Sequence, residues 1–577
     1  MNRICAVLLT SCAMSCSETN QNELPFQPWL LNEAADRGFE FIYESGFDGT
    51  PKYPEIFGGG VALFDVEGDG DLDIYVVQGG SIIGTDPLGV TNQLFINDGL
   101  GHFSNATEGS GAADAGYGMG AATGDYDNDG DLDLYVTNVG ENTLLRNNGD
   151  GTFVDVTTQA GVGDNGWGTS SAFFDMDLDG DLDLFVANYI DWNMGIERVC
   201  KSQLGILDYC HPNAYNSPAK DVLYRNNGDG TFTDVSEAAG FHTIWGNGLG
   251  VTIGDVNDDG LPDIYVANDE MKNQLWMNQG DGSFVEDALV SGVAVDANGE
   301  PKAGMGTDFA DIDNDGDLDL LVVNLLGQSD SMFINQGGWF EDGTPRSGLS
   351  SITRPFTRFG VGFHDLNNDG FLDLYMANGK VLLAAESSIT DDHYAEDNVL
   401  IQGNMDGKFV EVFPRGGVAV PLIHTSRGAA FGDVNGDGGI DIVVINRDAP
   451  AYLLMNTNAG NGGFVRLHLL NRHGAPAQNA TVRFNLGGTR MRRDVCTSGG
   501  YLSAHDPSLH IGIGDEPNIT GIEITWSDGT KQQVENMSAG EIRTIHQPLG
   551  LGQGSDPRSG IGMKKGSAPC EVAYGTL

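Results

Sequence analysis

The chain has 577 residues, 40% hydrophobic and 9% aromatic, enough to bury a large core, and its 84 glycines point to a turn-rich, mostly β fold. Its 29 Lys and Arg stand against 82 Asp and Glu, a formal net charge of −53, which argues against nucleic acid and anionic membrane surfaces as partners.

The chain opens on "MNRICAVLLTSCAMSC": Arg3, an apolar run from Ile4 to Leu9, then small residues before Cys12 and Cys16. That order of regions predicts an export signal over 1–16, with a lipobox-type cysteine as the acylated new N-terminus. "LTSC" ending at Cys12 is the better lipobox match, whereas "AMSC" ending at Cys16 leaves a more adequate apolar region. Cysteine parity favours Cys16, since Cys200, Cys210, Cys496 and Cys570 then remain for two disulfides in an oxidising compartment. Ordinary cleavage before Cys16, with no lipid, is the alternative. No later segment approaches 18 apolar residues, so no membrane-spanning helix is expected.

From residue 64 onward one motif recurs. "FDVEGDGDLDIYVVQ" starts at Phe64, "GDYDNDGDLDLYVTN" at Gly124 and "FDMDLDGDLDLFVAN" at Phe174; four further copies start at Gly254, Ala310, His364 and Gly432. A second element travels with it, as in "LLRNNGDGTFVDVTTQAGV": a short apolar run, an Asn-Gly or Gly-Asp-Gly turn, then an alternating run led by Phe. Asn and Gly tolerate the positive φ of tight hairpins, so each repeat reads as three or four short strands. A lone four-stranded sheet leaves an apolar face wet, and neighbouring copies arranged in a ring cover it. Seven copies predict a seven-bladed β-propeller over 26–460. The segment 28–46 resembles a worn copy of "FVDVTTQAGV" and is expected to close the ring; a linear array of the same repeats is the alternative.

The third and fourth copies are separated by a loop-like insertion, roughly Asp191 to Ala219, in which Cys200 and Cys210 could close a disulfide loop. It reads either as a recognition loop on a rigid scaffold or as a stapled ornament. After Asn461 the repeats stop, and period-two alternation predicts a small all-β domain over 461–547. The Gly- and Ser-rich tail, 548–577, is expected to be unordered.

The aligned loops read D-x-[DEN]-x-D-G-x-x-D. At positions one, three, five, seven and nine they carry Asp65, Glu67, Asp69, Asp71 and Asp73; Asp125, Asp127, Asp129, Asp131 and Asp133; Asp175, Asp177, Asp179, Asp181 and Asp183. The remaining four carry Asp255, Asn257, Asp259, Leu261 and Asp263; Asp311, Asp313, Asp315, Asp317 and Asp319; Asp365, Asn367, Asp369, Phe371 and Asp373; Asp433, Asn435, Asp437, Gly439 and Asp441. Unpaired, such arrays repel themselves: two carboxylates ~5 Å apart cost ~0.8 kcal/mol even in water. Side-chain oxygens at one, three, five and nine, a backbone carbonyl at seven and a turn-forming Gly at six suit a hard cation with six to eight oxygen ligands. Position twelve is apolar in every copy (Val136 and Met376, for example) where an EF-hand needs a bidentate Glu, so these are not EF-hands. Calcium fits better than magnesium, which demands a stricter octahedron, and better than zinc, because no His or Cys lies in any loop apart from His364 just before the sixth. Up to seven Ca²⁺ ions are expected. Loops six and seven carry three carboxylates each, with Asn367 and Asn435 at position three, and are expected to bind most weakly; Glu67 is expected to distort the first.

These loops resemble the FG-GAP (VCBS-type) repeats of the integrin α-subunit propeller, and "FGGG" at 57–60 partly echoes that family's Phe-Gly and Gly-Ala-Pro pairs. "SGGYLSAHDPSLHIGIGD" at 498–515 and "GIEITWSDG" at 521–529 resemble the ASPIC/UnbV domain. Together they resemble the cartilage acidic protein family and its bacterial relatives. The resemblance implies an all-β protein with a seven-bladed, integrin-α-like, calcium-binding propeller and a small all-β C-terminal domain. It also implies an extracellular or exported location: here the periplasm, an outer-membrane anchor or the cell surface of a bacterium. Animal members carry a growth-factor-like module near the C-terminus; with only Cys570 in that region, none is expected here.

Function is then expected to be that of a monomeric binding scaffold, lipid-anchored or secreted, for a protein or glycan ligand. The competing expectations are a hydrolase or lyase acting on extracellular polysaccharide and a structural subunit of an envelope assembly. No G-x-S-x-G, H-E-x-x-H or C-x-x-C motif is present, so no catalytic residue is expected. His505 and His510 in "HDPSLH" read as ordinary strand and turn residues of the C-terminal domain.

Overall fold

The run that follows each acidic loop pairs back on the run that precedes it. In the second repeat Asp133–Asn138 lies antiparallel to Gly118–Gly124, with Gly124 opposite Asp133 and Ala122 opposite Tyr135. Thr143–Asn147 and Phe153–Asp155 then complete a four-stranded meander. The first two strands are buried throughout, because neighbouring sheets cover both of their faces. The alternating run led by Phe is shorter than the sequence pattern suggests. After three residues the backbone turns into one helical turn, Thr157–Ala160, ended by left-handed Gly161 (φ 78°). Thr157 competes with a strand there, since its side chain is anchored locally: Oγ1 accepts the N–H of Leu144 at 2.8 Å.

This computed structural model describes residues 27–82, 89–383, 391–458, 460 and 462–549; the expected signal, Cys12 and Cys16 of its lipobox alternatives, Cys570 and the tail beyond 549 lie outside them. Seven four-stranded antiparallel sheets form the larger part of the fold. Their innermost strands are Val61–Phe64, Gly118–Gly124, Gly168–Phe174, Gly248–Gly254, Thr307–Ala310, Arg358–His364 and Ser426–Gly432. Each packs against the next, and the last against the first, so the array is a ring of seven blades. Every seam has its own apolar core. Leu63 and Val76 of blade one, for example, meet Val443 and Leu453 of blade seven. Blade seven takes its outermost strand from the other end of the chain, Leu30–Asn32, with Leu30 opposite Asn456. Closure by that strand removes the two edges that a linear array would leave.

An asparagine at the end of the third strand ties neighbouring blades in six of the seven. Asn147 Nδ2 donates to the carbonyls of Leu132 in its own blade (3.1 Å) and Val66 in the previous one (2.8 Å). Asn97, Asn226, Asn278, Asn335 and Asn456 repeat the pattern. In blade six the position is Gly403, where a Cβ would lie 2.1 Å from the Leu372 carbonyl oxygen, so no side chain fits.

The C-terminal domain packs a three-stranded sheet, in which Gly463–Leu470 runs parallel to Ile542–His546, against a larger antiparallel one around Trp526, Phe484 and Ile511. It docks on the ring face that carries the acidic loops. From it the segment Thr497–Asp506 enters the centre of the propeller and bonds to the inner strands. Leu502 O accepts the N–H of Ala121 (3.1 Å), Gly500 and Thr307 exchange two backbone bonds (2.7 and 3.0 Å), and Ala504 N donates to Val61 O (2.9 Å). Tyr501, fully buried, reaches the far side with its hydroxyl on Phe57 O (3.0 Å). The inner strands admit this plug by lacking side chains where it passes: a Cβ on Gly60 would sit 2.3 Å from Leu502 O.

Candidate metal centres

The nine-residue pattern gives all seven acidic loops one backbone design. The carboxylate at position one accepts the N–H of the Gly at position six; Asp125 takes Gly130 N at 3.2 Å and Asp175 takes Gly180 N at 3.0 Å. The position-five carboxylate accepts the N–H of position seven, as Asp129 does from Asp131 at 3.1 Å. Positions four and six are both left-handed: Asn128 has φ 59° and Gly130 φ 103°. Asn and Gly suit these positions, but loop three has Leu178 at position four with φ 60°, an uncommon conformation for a branched apolar side chain.

The ninth-position aspartate holds the loop to its blade. Asp133 is fully buried, and its two oxygens accept Tyr126 N (3.2 Å) and Asn147 N (2.8 Å). Equivalent pairs hold Asp73, Asp183, Asp263, Asp319, Asp373 and Asp441.

Three carboxylate ligand atoms lie within 4.8 Å of one another in four of the loops. Loops one, two and three gather positions one, three and nine: Asp65, Glu67 and Asp73; Asp125, Asp127 and Asp133; Asp175, Asp177 and Asp183. Loop five gathers Asp311, Asp313 and Asp315. Among these, Glu67 Oε2 and Asp127 Oδ1 are buried without any hydrogen-bond partner. A buried, unpartnered carboxylate oxygen is costly, and a cation beside it would remove the cost. Loops four, six and seven have Asn at position three, and its amide donates to the fifth-position carboxylate: Asn257 to Asp259 (2.9 Å), Asn367 to Asp369 (2.9 Å) and Asn435 to Asp437 (3.0 Å). Loop four therefore joins six and seven, the two loops expected from sequence to bind most weakly. Glu67 of loop one takes its place in a cluster like those of loops two and three. The position-seven side chains stay outside all four clusters, in keeping with a backbone role there.

Burial first, and then the charge of neighbouring carboxylates, pushes these groups far above the ordinary aspartate range. Asp125 and Asp175 rise to about 7, Asp183 to about 8 and Asp73 to about 9. In the unfolded chain the same groups ionise near 3.9. Without a divalent ion, folding stability from these groups is fully present below the unfolded value and is lost as pH rises through the folded values, between about 7 and 9. In EDTA the melting temperature is therefore expected to rise as pH falls from 9 to 5. In calcium the slope flattens, because the ion holds the ionised form. Melting curves across that range check the sign.

The structure places the other sequence-predicted residues as follows. Cys200 is disulfide-bonded to Cys210 (Cα–Cα 5.3 Å) and Cys496 is a free thiol, with burial pushing it up to about 11. His505 lies buried in the plug and His510 contacts Asn368 Oδ1 at 2.6 Å; burial lowers them to about 4 and 3, so both are neutral. The insertion sits at the opposite end of its blade from the acidic loop. Its hairpin pairs Cys200 with Asp208, and its base is fixed by Tyr394 Oη on Asp208 (2.9 Å) and by Trp192 Nε1 on Glu197 (2.8 Å). The asparagines that tie the blades were legible only as turn residues, although their recurrence ahead of each Gly was a signal.

Comparison with known proteins finds FG-GAP-like repeats over residues 65–136, 129–186, 213–266, 255–322 and 311–376, and ASPIC and UnbV over 471–551. Cartilage acidic protein 1 of Homo sapiens is 28% identical over 325 residues, covering 55% of this chain and 46% of that protein. The Mus musculus protein of the same name is 26% identical over 326 residues, covering 55% and 47%. The chain thus spans about half the length of the curated relatives it matches. A solved lectin of Agrocybe aegerita, described by its recognition of non-reducing terminal N-acetylglucosamine, aligns at 17% identity over 70% of this chain and 91% of its own. The TM-score is 0.36.

Proposed function

The chain is an FG-GAP-like repeat protein with a C-terminal ASPIC and UnbV domain, and we propose that it is an exported, calcium-clamped scaffold that binds a protein or glycan at the cell envelope. Calcium stiffens the ring by neutralising the acidic loops, and the disulfide suits an oxidising compartment. No described helix is long and apolar enough to cross a membrane, so attachment rests on the expected lipid anchor.

One observation carries the binding role. The hairpin on the rim opposite the acidic loops exposes Val199 (73%), Leu204 (60%) and Ile206 (56%) around a disulfide-closed, hydrogen-bonded base. Apolar side chains held out on a stiff support are what a partner-binding loop requires. Substituting Val199→Ser, Leu204→Ser and Ile206→Ser together is expected to abolish retention of an envelope ligand while leaving the melting temperature unchanged. Equal capture by wild type and variant, or no macromolecular ligand on either in calcium, would sink this reading.

A further inference from the structure

Each acidic loop needs a counter-charge, and the C-terminal domain brings cations of its own to some of them. In loop seven the buried Arg466 places its guanidinium on Asp433 Oδ2, an oxygen that also accepts Gly438 N (2.8 Å), while Oδ1 takes Asp437 N (3.2 Å). Three donors already engage the position-one carboxylate of that loop. In loop four Arg483 Nη2 lies 2.6 Å from Asp258 Oδ1, and Arg492 Nη2 reaches the Asp255 carbonyl at 3.5 Å. In loop six the domain closes over the carboxylate: Gly514 N donates to Asn368 O (2.8 Å), and a Cβ on Gly512 would stand 2.0 Å from Asp365 Oδ2. These are the three loops with Asn at position three.

Loops one to three are different. Among the described residues no Lys or Arg is ion-paired with their carboxylates, and three of their buried carboxylate oxygens, on Glu67, Asp71 and Asp127, lack partners. Loop five touches the domain, through Arg492 N on Asp311 Oδ2 (3.1 Å) and Arg492 Nη1 on Gly316 O (3.3 Å), yet keeps its three carboxylates gathered.

We infer that the C-terminal domain takes the place of an ion at loops four, six and seven, through Arg466 on the position-one carboxylate of loop seven, through Arg483 and Arg492 at loop four, and by closing over the Asp365 carboxylate of loop six, so that divalent ions occupy only loops one, two, three and five. In loop seven Arg466 and a calcium ion compete for the same Asp433 lone pairs, and a loop that has lost a charged ligand at position three holds the ion less well. The domain then stays seated through the charges that metal would otherwise neutralise.

This inference rests on the calcium reading, and ion counting separates the two. Elemental analysis of the full chain after equilibrium dialysis in calcium is expected to give four ions per molecule. The double variant Asn435→Asp, Arg466→Ala restores an acidic position three and removes the resident cation, and is expected to give five; Asn435→Asp alone is expected to stay at four. Seven ions on the wild type, five on the single variant, or four on a folded double variant would overturn the inference with calcium binding intact. No ion on the wild type would overturn the calcium reading itself. Should the double variant not fold, the wild-type count still decides.

Discussion

Removing calcium with EDTA is expected to lower the melting temperature by about 6–12 °C at neutral pH, and magnesium at the same concentration is expected to restore little of it. An ion that binds the native state alone stabilises by mass action, about 1.4 kcal/mol per site at ten times the dissociation constant. Four tricarboxylate clusters then sum to about 6 kcal/mol, and in a chain of this size each kcal/mol moves the midpoint by roughly 1–2 °C. Magnesium fails because its strict octahedron and tightly held waters do not match loops that offer several protein oxygens from a flexible backbone. Differential scanning calorimetry in calcium, in EDTA and in magnesium measures all three states. Identical curves would mean that the clusters are solvated acidic turns.

The second large effect is expected at the plug. Tyr501→Ala removes a fully buried ring packed 4.9 Å from Phe359 and strands the Phe57 carbonyl that accepted its hydroxyl. Large-to-small truncations of buried aromatic residues cost about 3–5 kcal/mol. The loss falls on the contact between the two domains, since Tyr501 belongs to the C-terminal domain and Phe359 and Phe57 to the propeller. The wild type is expected to melt in one cooperative transition and the variant in two, the C-terminal domain separating from the ring. A single transition at unchanged temperature would show that the plug is not what couples them.

Among the described residues the segment Thr497–Asp506 fills the centre of the propeller and leaves no open axial channel for a ligand to occupy. The C-terminal domain contacts the propeller's acidic face at loops four to seven. Under the proposed binding role, recognition is expected at the outer blade surfaces and at the rim that carries the Cys200–Cys210 hairpin.

The sequence by itself determined the repeat, the four-strand blade and the loop that joins its first two strands. Those features are local: nine residues contain both the turn glycine and the carboxylates, and period-two alternation names the strands beside them. Ring closure was also readable, because Leu30–Asn32 keeps enough of the repeat to be recognised as a displaced strand. Only the tertiary structure decided which loops gather three carboxylates and which meet an arginine. Arg466 and Asp433 are remote in sequence, and the register in which one domain seats on another has no periodic trace in either segment. The same holds for "SGGYLSAHDP": the segment reads as a turn in a small β domain, yet its small residues and Tyr501 take their meaning from the glycine-lined inner strands that surround them. Local hydrogen bonding and hydrophobic period are written into neighbouring residues, whereas docking depends on surfaces that exist only after both parts have folded.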